Sequence, residues 1–220
     1  MELLLGNLNY SSWSIRAALV ARASGLEFDE VIVPLDQSDT TSILIDKTGQ
    51  RRVPALIIDD LVIHDSLAIT EWITEAAEPG KVWPLDTKAR ARARSLCAEM
   101  HASFIDLRSF MGVDIRARHP TPEMTPGLKS DVERIRQIFS ETLAQYSDDG
   151  PFLFGEWSAA DAFYMPVVTR FRTYGVALQG ASARYAAAVL AHPLSQQIEA
   201  AAIAEPWTLD PLKFQPKTAD

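Results

Sequence analysis

Short apolar runs alternate with helix-like segments through about the first 80 residues of the 220-residue chain. Runs rich in Leu, Ile and Val predict buried strands, and apolar residues three or four positions apart predict helices. The expected strands are Glu2–Leu5, Phe28–Val33, Ala55–Ile58 and Leu61–Ile63, and the expected helices are Ser12–Ala23, Ser38–Lys47 and Ser66–Ala77. Asp59 and Asp60 separate the last two strands, which predicts a tight hairpin. This order predicts a mixed sheet of the thioredoxin-like kind.

Beyond the Trp83-Pro84 step, every segment with a clear hydrophobic period is helical. The expected helices are Thr87–Arg118, Pro126–Tyr146, Ala159–Tyr174, Ala181–Leu190 and Leu194–Ile203. Proline and glycine steps separate them, at 119–122 and 148–151, and a tail carries Pro206, Pro211 and Pro216. We therefore expect two domains: an α/β thioredoxin-like N-terminal domain over 1–80, then an all-α helical-bundle C-terminal domain over 86–220.

The formal net charge is -8, and no block of Lys and Arg occurs. Nucleic acids and anionic membranes bind clustered cations, so we expect neither as a partner. The first residues lack a basic region before their apolar stretch, and no segment reaches the roughly 18 apolar residues that span a bilayer. These features predict a cytoplasmic protein.

A single cysteine, Cys97, falls in a helical stretch. It cannot form an internal disulfide or a Cys-x-x-Cys pair, which disfavours redox chemistry by a protein thiol. The histidines are not spaced like metal ligands, so we expect no metal.

Four local motifs resemble those of the cytosolic glutathione S-transferases. They are Arg52-Val53-Pro54-Ala55-Leu56, His64-Asp65-Ser66-Leu67-Ala68-Ile69, Asn9-Tyr10-Ser11-Ser12-Trp13-Ser14-Ile15-Arg16 and Trp157-Ser158-Ala159-Ala160-Asp161-Ala162. The Ser-rich third motif is most similar to that of zeta-type, maleylacetoacetate isomerase-like members. The resemblance implies glutathione as co-substrate or cofactor, a small hydrophobic or carboxylate-bearing electrophile, and a homodimer.

The resemblance implies a cis peptide bond between Val53 and Pro54. A cis bond turns the chain sharply, leaving the N–H and C=O of Val53 at a sheet edge, where they can pair with the cysteinyl backbone of glutathione. Arg52 belongs to the same motif and is included in the expected binding site. The alternative is an ordinary trans proline that leads into a strand.

Asp65 and Ser66 precede a helix, where backbone N–H groups and the positive end of the helix dipole favour an anion. We expect Ser66 to be the N-cap. The resemblance implies that Ser66 holds the γ-glutamyl carboxylate and that Asp65 faces the γ-glutamyl ammonium. The alternative is a helix cap without a ligand.

The thiol of glutathione becomes a nucleophile when a hydroxyl or helix amides stabilise its thiolate. An ungapped match to the family's first helix places Asn9, rather than Ser or Tyr, at the position of the usual hydroxyl. The candidates for the thiolate partner are Ser11 first, Ser12 next and Asn9 as a weaker amide donor. The alternative is that Ser11 or Ser12 only caps the following helix.

In the predicted Thr87–Arg118 helix, four residues recur three or four positions apart: His101, Phe104, Arg108 and Met111. A shared face of this kind suits an apolar electrophile with a carboxylate, although such faces are often simply core. Ser158 and Asp161 have the spacing of a capping box, so we expect a structural role for them.

The leading hypothesis is a glutathione transferase. One alternative is a glutathione-dependent cis-trans isomerase of the maleylacetoacetate type, favoured by the Ser-rich motif and by Arg108. Another is a non-catalytic glutathione-binding protein, which Asn9 at the hydroxyl position keeps open.

Overall fold

A computed structural model describes residues 1–146 and 150–209, and its first domain contains a four-stranded sheet. The elements are β1 (Glu2–Leu5), α1 (Ser12–Ser24), β2 (Asp29–Ile32), α2 (Thr40–Thr48), β3 (Ala55–Ile58), β4 (Leu61–His64) and α3 (Ser66–Ala76). The strand order is β2-β1-β3-β4, with β1 parallel to β2 and the other pairs antiparallel. The predicted thioredoxin-like domain is confirmed.

Helices cover both faces of this sheet. Successive residues of a strand point to opposite faces, so Leu3 and Leu5 share one face and Leu4 lies on the other. Leu3 and Leu5 join the main core with α1 and α3. Leu4 packs in a smaller cluster that includes Leu44 of α2. Burial on both faces explains why β1 is an uninterrupted run of leucines rather than an alternating strand.

The second domain is helical, as predicted. Its helices are α4 (Thr87–Ala102), α5 (Ile105–Phe110), α6 (Pro126–Tyr146), α7 (Ala159–Thr173), α8 (Gly180–Ala191) and α9 (Pro193–Ala204). Every residue of α7 except Arg172 is buried, and α7 packs against α4, α8 and α1 of the first domain. The proline and glycine step predicted at 148–151 lies partly outside the described residues, at Asp148 and Asp149. Pro211 and Pro216 of the predicted tail also lie outside them.

No helix in the described ranges is both long and apolar enough to cross a bilayer.

The prediction of one helix from Thr87 to Arg118 is wrong. The helix α4 ends at Ala102, Phe104 takes the left-handed conformation with φ 65°, and α5 follows as a short separate helix. From 111 to 125 the chain has no helix. Met111, Val113 and Ile115 are buried in the main core along this stretch, and a straight helix would carry them away from it. Tertiary packing therefore overrides the local helical period.

The predicted capping box at the start of α7 is confirmed. Asp161 is fully buried, and its carboxylate accepts hydrogen bonds from the N–H of Leu153 at 3.1 Å and of Ser158 at 2.9 Å. Burial raises the pKa of Asp161 to about 6, because desolvation outweighs these hydrogen bonds. Asp161 thus fixes both the start of the central helix and the loop before it.

We expect Asp161→Ala to lower the free energy of unfolding by about 3 kcal/mol, because two buried N–H groups lose their acceptor. Asp86→Ala is the matched control: Asp86 caps α4 through Ala89 at 2.8 Å from an exposed position. It should cost about 1 kcal/mol. Urea unfolding followed by circular dichroism measures both, and equal losses would contradict a special role for Asp161.

The pKa of Asp161 also predicts a pH dependence. A carboxyl group whose pKa rises on folding stabilises the protein most at low pH. This contribution is lost as the pH rises from the ordinary value of 3.8 to about 6. The stability gap between wild type and Asp161→Ala should therefore narrow across this range. A gap that widens with pH would contradict the assignment.

Candidate functional site

A cleft of about 1120 Å³ opens where the first domain meets the start of the second. We call it the main cleft. It is lined by Ser11, Trp13, Leu35, Ile45, Gly49, Gln50, Arg51, Arg52, Val53, Pro54, His64, Asp65 and His101. The structure thus brings together the start of α1, the loop before β3 and the start of α3, which are separate in sequence.

The loop before β3 forms one wall of the main cleft. The peptide bond between Val53 and Pro54 is cis, as predicted. The sheet ladder begins after it, with Ala55 opposite Leu4, so the backbone of Val53 is not used by the sheet. Gly6 packs closely here, since a Cβ atom on it would lie 2.9 Å from Cγ2 of Val53. Arg52 is exposed at the rim.

The start of α3 differs from the prediction. Asp65, not Ser66, is the N-cap: its Oδ1 accepts from the N–H of Leu67 at 2.8 Å and of Ala68 at 3.2 Å. Ser66 is the first helical residue and is fully buried, and its hydroxyl has no hydrogen-bond partner among the described residues. The longer carboxylate reaches two helix amides, which explains why it takes the capping position.

His101, from the second domain, lines the main cleft next to Asp65. Its Nε2 lies 3.5 Å from Oδ2 of Asp65, and its ring packs edge-on against Trp13 at 5.1 Å between centroids. The guanidinium of Arg108 lies over the same Trp13 ring at 4.9 Å and donates to the carbonyl groups of Ser103 and Met100.

The four predicted residues do not share the face of a single helix, because the helix is interrupted at Phe104. His101 lines the main cleft, whereas Phe104 and Met111 are buried in the core. Arg108 lies on α5, beyond the break. The helical period was a misleading signal here, since it continued across a turn that distant contacts impose.

Ser11 is both a cleft residue and the N-cap of α1. Its Oγ accepts from the N–H of Ser14 at 3.2 Å and donates to Oγ of Ser14 at 3.0 Å. Ser14 in turn accepts from the N–H of Gly6 at 2.8 Å. This chain of hydrogen bonds fixes the Ser11 hydroxyl relative to the end of β1. The capping role is confirmed, and it leaves Ser11 on the cleft wall.

Asn9 does not line the main cleft. It is fully buried, its Nδ2 donates to Oδ1 of Asp114 at 2.9 Å, and its Oδ1 accepts from the N–H of Arg116 at 3.0 Å. Both halves of the amide are thereby engaged in holding the segment after α5. Ser12 is also buried, and its Oγ lies 3.4 Å from Nη2 of Arg170 on α7.

Two buried arginines lie near the cleft: Arg16, which the sequence did not suggest as a site residue, and Arg170, whose orientation the sequence did not predict. Arg16 is fully buried, with its guanidinium over the rings of Trp13 at 4.7 Å and Phe163 at 5.0 Å. None of its three nitrogen atoms has a hydrogen-bond partner among the described residues. Burial, and then repulsion from Arg108 and Arg170, lowers its pKa well below the ordinary value.

Arg170 is the second of these residues. Its Nε donates to the carbonyl group of Met111 at 2.7 Å. Burial, with repulsion from Arg108, lowers its pKa to about 9. The signal in the sequence was an arginine in an apolar helix with no acidic residue three or four positions away, which is true of both Arg16 and Arg170.

A second, smaller cavity of about 210 Å³ adjoins the segment after α5. Tyr10 precedes Ser11 and lines it, together with Phe110 and Tyr174. The ring of His119 packs on Tyr174 at 5.3 Å, and its Nε2 lies 3.4 Å from Oδ2 of Asp114. In the described part of the chain, no cluster of His, Cys, Asp and Glu is suited to hold a metal ion.

These features define a thioredoxin-like N-terminal domain followed by a helical part, with a cleft where the two meet. A family model for the glutathione S-transferase N-terminal domain matches residues 10–76. A glutathione transferase homologue from Burkholderia BGR1, solved with bound glutathione, superposes with a TM-score of 0.67 at 25% identity, covering 93% of this chain and 98% of that one.

Two further relatives match in sequence. Glutathione S-transferase L1 of Arabidopsis thaliana is 24% identical over 162 residues, which are 72% of this chain and 62% of the relative. A probable maleylacetoacetate isomerase of Caenorhabditis elegans is 31% identical over 85 residues, 39% of each chain. The match thus spans about three fifths of the Arabidopsis relative. The chain is thus similar to glutathione S-transferases, in sequence over its first domain and in fold over both.

Arg16 is buried, and its guanidinium has no hydrogen-bond partner among the described residues. We therefore expect Arg16→Met to stabilise the protein by about 1 kcal/mol or more, since an apolar side chain of similar length replaces a desolvated charge. Arg22→Met is the control on the same helix. Arg22 is ion-paired with Glu30 at 2.6 Å, so its loss should be neutral or mildly destabilising. Thermal unfolding measures both variants. A destabilised Arg16→Met protein would show that this cation has a partner.

Proposed function

We propose that the chain is an enzyme that binds glutathione in the main cleft and presents its thiolate to a small electrophile, as a glutathione transferase does. The observation that carries the proposal is the convergence of Ser11, the cis Val53–Pro54 loop and Asp65 on one cleft. Each supplies a different kind of contact to a tripeptide, and together they span the cleft wall.

The cleft residues fit glutathione chemically. The backbone of Val53, which the sheet does not use, can pair with the cysteinyl residue as an added strand would. Asp65 offers a carboxylate to the γ-glutamyl ammonium. The Ser66 hydroxyl, which lacks a partner among the described residues, and the start of α3 suit the γ-glutamyl carboxylate. Arg52 at the rim suits the second carboxylate of the peptide.

Ser11 is our first candidate for the thiolate partner. Its hydroxyl lies on the cleft wall at the start of α1, where the helix dipole also favours an anion. A hydroxyl that turns from Ser14 toward the cleft donates to the sulfur, and the thiol proton passes to solvent. Ser12 is the second candidate. Asn9 is a poor one, because both its amide atoms already have partners.

The electrophile has two candidate surfaces at the domain junction. One is the helical-domain side of the main cleft, where His101 lines the cleft beside Trp13 and Arg108 lies over the Trp13 ring. The small cavity beside Tyr10, with its Phe110 and Tyr174 walls, suits a compound of about one ring. Phe104 and Met111 support this region from the core rather than contacting a ligand.

Ser11→Ala should lower kcat/KM for conjugation of an aryl halide by about 10-fold to 100-fold, because a donor to the thiolate is lost. Glutathione affinity should change little. Ser11→Thr restores a hydroxyl and should recover part of the rate. Ser12→Ala is the parallel test, and a larger loss there would exchange the ranks of the two serines.

Calorimetric titration of the wild-type protein with glutathione tests the binding step by itself. We expect saturable binding, and its absence would contradict the whole proposal. Binding without turnover of any electrophile tested would favour a non-catalytic glutathione-binding protein instead.

A glutathione-dependent isomerase is the second candidate function. It is favoured by Arg108, Arg16 and Arg170 near the cleft, which form no ion pair in the described ranges and whose positive charge suits a substrate with a carboxylate. The similarity to a probable maleylacetoacetate isomerase supports it. The homodimer that the family resemblance implies belongs to the same proposal, and light scattering after size-exclusion chromatography tests it.

The two activities predict different fates of glutathione. A transferase consumes one thiol per product, so free thiol should fall as conjugate accumulates. An isomerase returns the thiol, so product should form from an unsaturated dicarboxylate, such as a maleyl compound, while the thiol pool stays constant. Thiol titration alongside mass spectrometry of the product separates them. We expect consumption, and an unchanged pool with product formed would favour the isomerase.

A further inference from the structure

Arg170 faces the first turn of α1 from the opposite domain. Its side chain is buried and is held by the hydrogen bond that Nε donates to the carbonyl group of Met111 at 2.7 Å. The Nη2 atom lies 3.4 Å from Oγ of Ser12, and Nη1 has no hydrogen-bond partner among the described residues. A buried cation with an open donor is costly unless an anion approaches it.

The first turn of α1 is a second, independent source of positive potential at the same place. Within the described chain, the backbone N–H groups of Ser12 and Trp13 donate to no other residue, as expected for the start of a helix. The helix has 13 residues, so the partial charges at its end are well developed. Ser11, immediately before this turn, lines the main cleft.

Protein carboxylates do not neutralise this charge. Neither Arg16, Arg108 nor Arg170 forms an ion pair with any residue in the described ranges. Asp131 acts on Arg108, whereas Arg170 is repelled by Arg108 and, to a smaller extent, stabilised by Tyr174, a phenol whose pKa is raised by burial. The junction therefore holds excess positive charge beside the cleft.

Arg170 differs from the other two arginines in what it contacts. Arg16 packs its guanidinium on two aromatic rings, and Arg108 directs its donors at carbonyl groups of the α4–α5 turn. Of these three residues, Arg170 is the one with a polar contact to the first turn of α1 within the described structure.

We propose that Arg170 is a positioning residue that lowers the thiol pKa of bound glutathione, acting through the Ser12 hydroxyl and through its own uncompensated charge. The inference rests on the proposed function. When the S–H bond breaks, the proton goes to solvent, the electron pair stays on sulfur, and Arg170 remains protonated. The thiolate then supplies the negative charge that the junction lacks.

The test measures ionisation of bound glutathione directly, without an electrophile. The ultraviolet absorbance of the thiolate is followed against pH for glutathione bound to wild type, Arg170→Gln and Arg170→Lys. In wild type the thiol should titrate below free glutathione. In Arg170→Gln its pKa should rise by about one unit, a roughly tenfold loss of thiolate near neutral pH. Arg170→Lys should recover part of the shift.

Arg172→Gln is the matched control. Arg172 lies on the same helix and is ion-paired with Glu199 at 3.0 Å, so removing it changes the net charge by the same amount. It should leave the thiol pKa unchanged. An equal shift in this variant would overturn the inference, since it would reflect the overall charge of the protein.

Two further measurements distinguish the possible outcomes. Calorimetry and thermal unfolding show whether each variant binds glutathione and folds. If Arg170→Gln does not fold, Ser12→Ala replaces it, and a smaller upward shift of the thiol pKa supports the inference. An unchanged thiol pKa in a folded, binding Arg170→Gln or in Ser12→Ala overturns it. If wild type binds no glutathione, the proposed function itself fails.

Discussion

The helix α1 belongs to the cores of both domains, and the geometry of the site depends on this shared burial. Its residues from Ser14 to Ala21 are all buried, between β1 and α3 on the side of the first domain and α7 and α9 of the second. The loop before it is held from the far end of the chain, where Glu205 accepts from the N–H of Leu8 at 2.6 Å and of Asn9 at 3.2 Å. The first turn of α1 therefore cannot move without disturbing both domains.

Apolar packing at the junction of the two domains stabilises the fold, whereas the positive charge of two buried arginines there destabilises it. Buried apolar residues surround α1 and α7, yet Arg16 and Arg170 are buried there without carboxylate partners in the described chain. Local rules of burial are usually broken at functional sites, where the surrounding structure compensates. The aromatic rings around Arg16 offset part of the cost. An anionic ligand would offset more, which connects the stability of the junction to its proposed chemistry.

Elements with strong local signals were predictable from the sequence. Strands β1, β3 and β4 each contain at least three consecutive apolar residues, and the start of α7 has its capping box, so these features appeared where expected. The end of α4 was not predictable, because the helical period continues past Phe104 while the break depends on burial of Met111 and Ile115 against distant elements. The cap of α3 was misplaced by one residue, since Asp65 and Ser66 are both good N-caps and only geometry separates them.

The walls of the main cleft were predictable as separate motifs, but the contacts that connect them to the second domain were not. Asn9 shows why. Its amide satisfies Asp114 and the N–H of Arg116 at once, across 105 and 107 residues of sequence. A serine hydroxyl is too short to replace both bonds, so the residue that first seemed a departure from the family pattern fits a structural requirement. With Asn9 anchoring the segment after α5, the candidates for the proposed thiolate contact are Ser11, the N-cap of α1, and Ser12, its first residue.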